Sequence, residues 1–288
     1  MSILNSISIV IIFSITWSSA FIVGKIGLFY INEYALLSSR FFIASLILLP
    51  VWLIKKNIKN KKKIIKDGII LGLLNNVIYL GLIFSSLNYI SPELVTIIAS
   101  CSPFITCIIV WITKVEKFSY TVLLGIILGF LGVLLITTYR PVGSIEPIGI
   151  LQAFIGTIGF SIATIYYKKN SITHNPQLIN FWQSITAAVV LLPFALYFTK
   201  ENTVITKELI LSILYLVIVV TIGSMWLWLI IIKNLGASVA SSAHLLNPAI
   251  GLILAYIFFQ KEFLLTDWIG ILVITTGLFI VTRFKKKY

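Results

Sequence analysis

The chain has 288 residues, of which 59% are hydrophobic and only 11% charged, too little polar surface for a soluble domain of this size. A formal net charge of +13 would suit a nucleic-acid partner, but the basic residues are spread over short loops between apolar blocks, which argues against one. The two cysteines, Cys101 and Cys107, share one apolar block on different helix faces and offer neither a disulfide framework nor a metal-ligand spacing.

Ten apolar blocks follow one another, each of roughly 20 residues, the length at which a helix rising about 1.5 Å per residue crosses a bilayer core. The first, 3–24, carries Ser14, Trp17 and Ser18 near its centre. It lacks a basic leader and a small-residue cleavage site, so it is read as retained in the protein. The second, 34–54, holds Arg40 about six residues, or roughly 9 Å, from its outer end. Two roles stand side by side for this guanidinium, snorkelling to the interface and bidentate pairing with a substrate carboxylate. The following "KKNIKNKKKIIK" reads as a topology determinant and a lipid-facing basic loop.

The third block, 68–88, brings Asn75, Asn76 and Tyr79, and the fourth, 93–113, brings Ser100, Ser102 and Pro103. In the fifth, 119–138, Gly125, Gly129 and Gly132 fall on one stripe, which suits close helix packing or a homodimer contact. The sixth, 147–167, contains Ser161 and Thr164; the seventh, 177–198, contains Gln183; the eighth, 209–231, contains Ser224 and Trp226. The ninth, 238–259, includes "SSAHLLNPAIGLILAY", in which His244, Asn247 and the helix breaker Pro248 interrupt an apolar run. The tenth spans 266–283.

With both termini placed in the cytoplasm, the inner loops and the tail collect Lys55, Lys56, Lys59, Lys61, Lys62, Lys63, Lys66, Lys114, Lys117, Lys168, Lys169, Lys233, Arg283, Lys285, Lys286 and Lys287, sixteen of the 22 basic residues. Lys25, Arg140, Lys200, Lys207 and Lys261 fall on the outer side. This asymmetry is the positive-inside pattern, and it predicts a multi-pass protein of the cytoplasmic (inner) membrane.

The chain also repeats itself. "ASCSPFITCIIVWITKVEKFSYTVLLGIILGFLG" aligns with "SAHLLNPAIGLILAYIFFQKEFLLTDWIGILVITTG": Pro103 matches Pro248, Gly125 matches Gly270 and Gly132 matches Gly277, all at an offset of 145, and Glu116 matches Glu262 after a one-residue slip. The earlier parts align at an offset of 143, Trp17 and Ser18 with Phe160 and Ser161, Lys25 with Lys168, Arg40 with Gln183, Pro50 with Pro193. Two units result, 1–143 and 144–288, each of five spans. Because five is odd, the second unit enters the membrane upside down, an arrangement recurrent among secondary transporters, whose sites lie near the midplane between the halves.

The opening "ITWSSAFIVGKIG", the second-span "ALLSSRFF" and the doubled pattern of a proline-centred span, an acidic loop and a glycine-rich span resemble the drug/metabolite transporter superfamily, its EamA type above all. The resemblance implies an all-α integral membrane protein of ten transmembrane helices in two inverted five-helix repeats, a carrier of small metabolites and often an exporter.

Polar groups in a bilayer core are costly and normally face a partner helix or a water-filled cavity. On that ground Trp17, Arg40, Asn76, Tyr79, Ser102, Gln183, Trp226, His244 and Asn247 are the candidates for substrate binding. Pro248 and Pro103 are expected to kink their helices at matching points and to leave a cavity where the polar residues gather. For His244 the alternative is a satisfied helix–helix hydrogen bond; for Trp17 and Trp226 it is ordinary packing. His244 is also the one side chain placed deep in the membrane whose unperturbed pKa lies near neutrality, so it either senses protons or only binds. His174 falls in an inner loop.

The nine acids fall at span ends or in loops, so a relay through a mid-membrane carboxylate is not expected. No catalytic motif, cofactor site or metal site is expected. The expected function is alternating-access transport of a small metabolite, an amino acid or related compound, with membrane lipid as the surroundings and no nucleic-acid partner. A channel or a lipid-translocating protein is the alternative.

Overall fold

The computed structural model describes residues 3–55, 58–138, 145–198, 205–259 and 263–283. Lys56, Arg140, Lys200, Lys261, Lys285, Lys286 and Lys287 of the charge reading, and Glu262 of the repeat, lie outside them; of the nine acids, Glu201 also lies outside, as does the side chain of Glu93. Ten helices among the described residues are long and apolar enough to cross a bilayer: span 1 (Ser8–Leu28), span 2 (Glu33–Ile54), span 3 (Lys61–Ser86), span 4 (Leu94–Thr113), span 5 (Tyr120–Thr138), span 6 (Pro147–Ser171), span 7 (Pro176–Tyr197), span 8 (Lys207–Leu235), span 9 (Ala237–Leu254) and span 10 (Leu265–Arg283). Their outer faces expose large apolar side chains such as Ile12, Phe42, Trp111, Leu124, Val189, Ile218 and Leu272, a surface compatible with lipid and not with water.

Side-chain caps fix several helix starts. Asn32, Ser91, Asn175 and Thr206 accept hydrogen bonds from the amides of Ala35, Leu94, Gln177 and Leu209 respectively, amides that helix geometry leaves without a carbonyl. Pro92 and Pro176 follow two of these caps, where a missing amide costs nothing.

Span 3 begins earlier than its hydrophobic block. Residues 55–67 were expected as a basic loop, yet Lys61–Leu71 is a helix. Ile64, Asp67, Gly68 and Leu71 form its buried face, while Lys61, Lys62, Lys63 and Lys66 stay exposed. The lysines lower the mean hydropathy of a stretch that is amphipathic and packs well. Asp67 thus lies inside a helix rather than in a loop.

The proline breaks appear in both halves. Span 4 consists of Pro92–Ala99 followed by Ser102–Thr113. Span 9 runs Ala237–Ser242, a 3-10 turn Ala243–Leu245, then Leu246–Phe259. Each interruption falls just ahead of Pro103 or Pro248, whose ring has no amide to donate and clashes with the turn before it. Spans 3 and 8 share a second irregularity, π-helical stretches at Gly72–Gly81 and Leu216–Ser224, again at matching places in the two halves.

The packing has the same symmetry. Span 2 lies along span 7 and span 5 along span 10, while span 1 packs on spans 8 and 9 and span 6 packs on spans 3 and 4. Exchanging the halves maps this set onto itself. Spans 5 and 10 interlock through glycines: a Cβ on Gly125 would lie 2.7 Å from the Gly277 carbonyl oxygen, and one on Gly132 would lie 2.7 Å from that of Gly270. The rising order on one helix meets the falling order on the other, so the pair is antiparallel. The glycine stripe therefore serves close packing inside the chain. The protein is an all-α membrane protein of ten transmembrane helices, arranged as two inverted five-helix repeats.

Candidate functional site

The middle of the bundle is built around His244. Its ring is enclosed by Phe13 and Trp17 of span 1, Phe160 of span 6 and Trp228 of span 8, at centroid distances of 5.5, 5.7, 4.7 and 4.9 Å, all at steep angles. Phe13 and Phe160 each stack on Trp228 at 5.2 Å, and Tyr79 of span 3 packs on Phe160 at 4.7 Å. The 3-10 turn ahead of Pro248 carries His244, so the break in span 9 positions the imidazole among these rings.

Asn247 fixes the orientation of that imidazole. Its Oδ1 accepts from Ser18 Oγ at 3.2 Å, which turns its Nδ2 toward His244 Nδ1 at 2.9 Å. An amide nitrogen only donates, so Nδ1 accepts and the ring proton sits on Nε2. His244 Nε2 is buried and makes no hydrogen bond. Asn247 lies three positions on in the same span, so this bond stays within span 9, and neither ring nitrogen makes the hydrogen bond to another helix that was the alternative.

A second polar layer lies beside the first. Asn75 Nδ2 donates to Gln183 Oε1 at 3.3 Å, linking spans 3 and 7. Both polar atoms of the Asn76 amide, Gln183 Nε2 and Ser102 Oγ are buried without a hydrogen-bond partner. Ser161 Oγ donates to the Ser102 carbonyl at 3.2 Å, closing the break in span 4 against span 6. Unmet polar groups are normally rare in a protein interior, and Asn76, Ser102 and Gln183 each leave at least one buried atom unmet here.

Arg40 does not snorkel. It is 3% exposed, its Nε donates to Thr221 Oγ1 at 2.6 Å, and its guanidinium carbon lies 5.2 Å from the Phe41 ring centroid. Asn180 Nδ2 donates to the Thr221 carbonyl at 2.6 Å, so the π-helical stretch of span 8 receives side chains from spans 2 and 7. Among the described residues no carboxylate pairs with Arg40.

The prolines break their helices as expected, but side chains fill the space between them. His244 is 4% exposed, Asn76 1% and Gln183 0%. An open cavity of about 720 Å³ lies at the lysine-rich end, lined by Lys55, Lys59, Ile64 and His174 among others.

The sequence itself decides the family. The sequence pattern described as the EamA-like transporter family matches residues 4–138 and again 147–283. The chain belongs to the EamA-like transporter family. It is similar to the uncharacterized transporter YvbV of Bacillus subtilis (strain 168), 26% identical over 94% of this chain and 90% of that one. It is also similar to the uncharacterized transporter YoaV of the same organism, 22% identical over 97% and 96%. An uncharacterized transporter of Archaeoglobus fulgidus is 26% identical over 93% and 95%. One solved crystal structure shares the fold, with a TM-score of 0.77 at 16% identity over 96% of both chains. Family and relatives indicate that this EamA-like protein is a multi-pass membrane transporter, and the family implies a small-molecule substrate.

Within this EamA-like transporter, Trp17, Tyr79, His244 and Asn247 come together, whereas Gln183 meets Asn75, Ser102 meets Ser161, Asn76 is buried on span 3, and Arg40 lies on the π-helical stretch of span 8. Trp226 does not join them: it is 41% exposed and faces outward. Trp228, two positions on, takes the place expected of it. The buried stripe Met225, Trp228, Leu229 and Ile232 has helical spacing and was the available signal. Phe13 and Phe160 also escaped the sequence reading, although Phe160 is the repeat partner of Trp17.

Proposed function

We propose that this chain is a secondary transporter that moves a small polar or amphipathic metabolite, an amino acid or related compound in the first instance, across the cytoplasmic membrane by rocking its two halves, 1–143 and 144–288, about the midplane. The lysine-rich end with both termini is the cytoplasmic one. The observation that carries the reading is the set of unpartnered polar atoms buried where the halves meet: His244 Nε2, the Asn76 amide, Ser102 Oγ and Gln183 Nε2. A solute carrying both donors and acceptors would meet them in the occluded state, with an apolar portion among the rings around His244. Arg40 adds a fixed cation for a carboxylate. Both family matches, one per half, support the division of the chain.

The test is a thermal-shift screen of the purified protein against small metabolites, since a ligand that binds only the folded state raises its apparent stability. A hit is then expected to show saturable countertransport in liposomes. Flux that neither saturates nor exchanges would overturn a carrier in favour of a channel. Tags that place the C-terminus on the outside would overturn the topology.

A further inference from the structure

At the lysine-rich end a carboxylate is buried where the two repeats meet. Asp67 of span 3 is 2% exposed. It accepts from Tyr166 Oη at 2.9 Å on one oxygen and from Ser171 Oγ at 2.9 Å on the other, both donors belonging to the last turns of span 6. His174, in the turn between spans 6 and 7, brings Nε2 to 3.6 Å from Asp67 Oδ2. That nitrogen is buried and has no hydrogen-bond partner. Span 3 is tightly seated here, because a Cβ on Gly68 would strike Trp182 and one on Gly72 would lie 2.8 Å from the Gln183 carbonyl oxygen. His174 also lines the open cavity of about 720 Å³, which gives the cluster a route to solution.

We propose that Asp67, Tyr166, Ser171 and His174 form a proton-binding site that sets the strength of the closure between the repeats at this end, with His174 as the group that takes the proton. The two hydroxyls tie span 6 to span 3. The imidazole responds to its charged neighbours, Asp67 and Lys63 on span 3, and to its burial. Burial holds the His174 imidazole below its ordinary value; Asp67 opposes this, and Lys63 adds to it.

The sign follows from linkage. A closed state that depresses the imidazole binds a proton less well than an open state in which the ring is hydrated, so acidification favours opening. The response sets in as pH falls through the ordinary imidazole value of about 6.5 and saturates below the lower closed-state value. Protons would then bias which side of the transporter is open. This meaning rests on the alternating-access reading, whereas the experiment reads accessibility and stands apart from transport.

The test places a cysteine at Ile64, buried on the Asp67 face of span 3, in a full-length background carrying Cys101→Ala and Cys107→Ala, in lipid nanodiscs. Its maleimide labelling rate is divided by that of Lys62→Cys, an exposed neighbour, so that ordinary thiol ionisation cancels. The ratio is expected to rise by about threefold or more between pH 7.5 and 5.5. His174→Asn should flatten this rise. Lys63→Gln, at an exposed position that leaves the packing intact, should shrink it by relieving the depression of the imidazole. A flat ratio in the starting protein overturns the proposal, as does an undiminished rise in either variant.

Discussion

Ser18 donates to Asn247 Oδ1 at 3.2 Å, and the repeat partners of these two residues make the matching contact, Ser161 Oγ to the Ser102 carbonyl, also at 3.2 Å. Each bond fastens the first span of one half to the broken helix of the other. In the second half the acceptor is a side chain, and that amide in turn orients His244. The symmetry of the fold thus ends in an asymmetric site, with an imidazole on one side of the pseudo-twofold only.

Ser18→Ala is therefore expected to act on the site more than on the fold. Side-chain bonds between transmembrane helices contribute about 0.6 kcal/mol on average, too little to unfold the protein. Without Ser18, Asn247 loses the contact that fixes its orientation, and substrate affinity should fall by about threefold. Titration of a screened ligand by thermal shift checks this. A drop in melting temperature with unchanged affinity would make the bond purely structural.

The glycine interlock of spans 5 and 10 predicts a steep loss of stability. A methyl at position 132 would lie 2.7 Å from the Gly270 carbonyl oxygen and 2.9 Å from the Ile274 amide nitrogen, backbone atoms that cannot swing away. Gly132→Ala should cost about 1–3 kcal/mol, the range for overpacking. Gly251, with nothing within 4 Å of an added Cβ, is the control, and Gly251→Ala should be neutral or slightly stabilising. Equal melting temperatures for the two variants would contradict the interlock.

Much of this architecture is legible from residues alone. The apolar blocks announce the spans, and Pro103 and Pro248 mark the breaks because the cost of proline in a helix is local. The start of span 3 is hidden because lysines mask its apolar stripe. The Asp67 cluster is hidden because 104 positions separate Asp67 from Ser171 and no motif links them. Trp226 and Trp228 show a different limit: both are tryptophans in one span, and only the helix face separates the residue in the site from the one toward lipid.

Arg40 is a buried cation whose Nε is held by Thr221 and which has no carboxylate partner among the described residues. Such a charge is costly, and a carboxylate-bearing solute would offset the cost. Arg40→Lys keeps the charge but loses the planar fork and the Nε donor, so affinity for a carboxylate ligand should fall by about tenfold, while that for its amide analogue changes little. Equal losses for both ligands would assign Arg40 to holding the π-helical stretch of span 8.

His244 offers the sharpest separation of roles. Its Nδ1 is engaged by Asn247, and Nε2 is a free donor inside a wall of four aromatic rings. His244→Leu retains much of the apolar packing but removes the donor, so ligand affinity should fall by about tenfold, roughly the value of one hydrogen bond to a solute in such a site. His244→Gln restores a donor without a titratable ring and should recover part of that loss. Because the ring is held by an amide at Nδ1, the Gln variant is expected to keep the pH profile of the unaltered protein between about pH 5.5 and 7.5, whereas His174→Asn alters it. A flattened profile in His244→Gln would move the proton-sensing role from His174 to the midplane; an unchanged affinity in His244→Leu would reduce His244 to a packing residue.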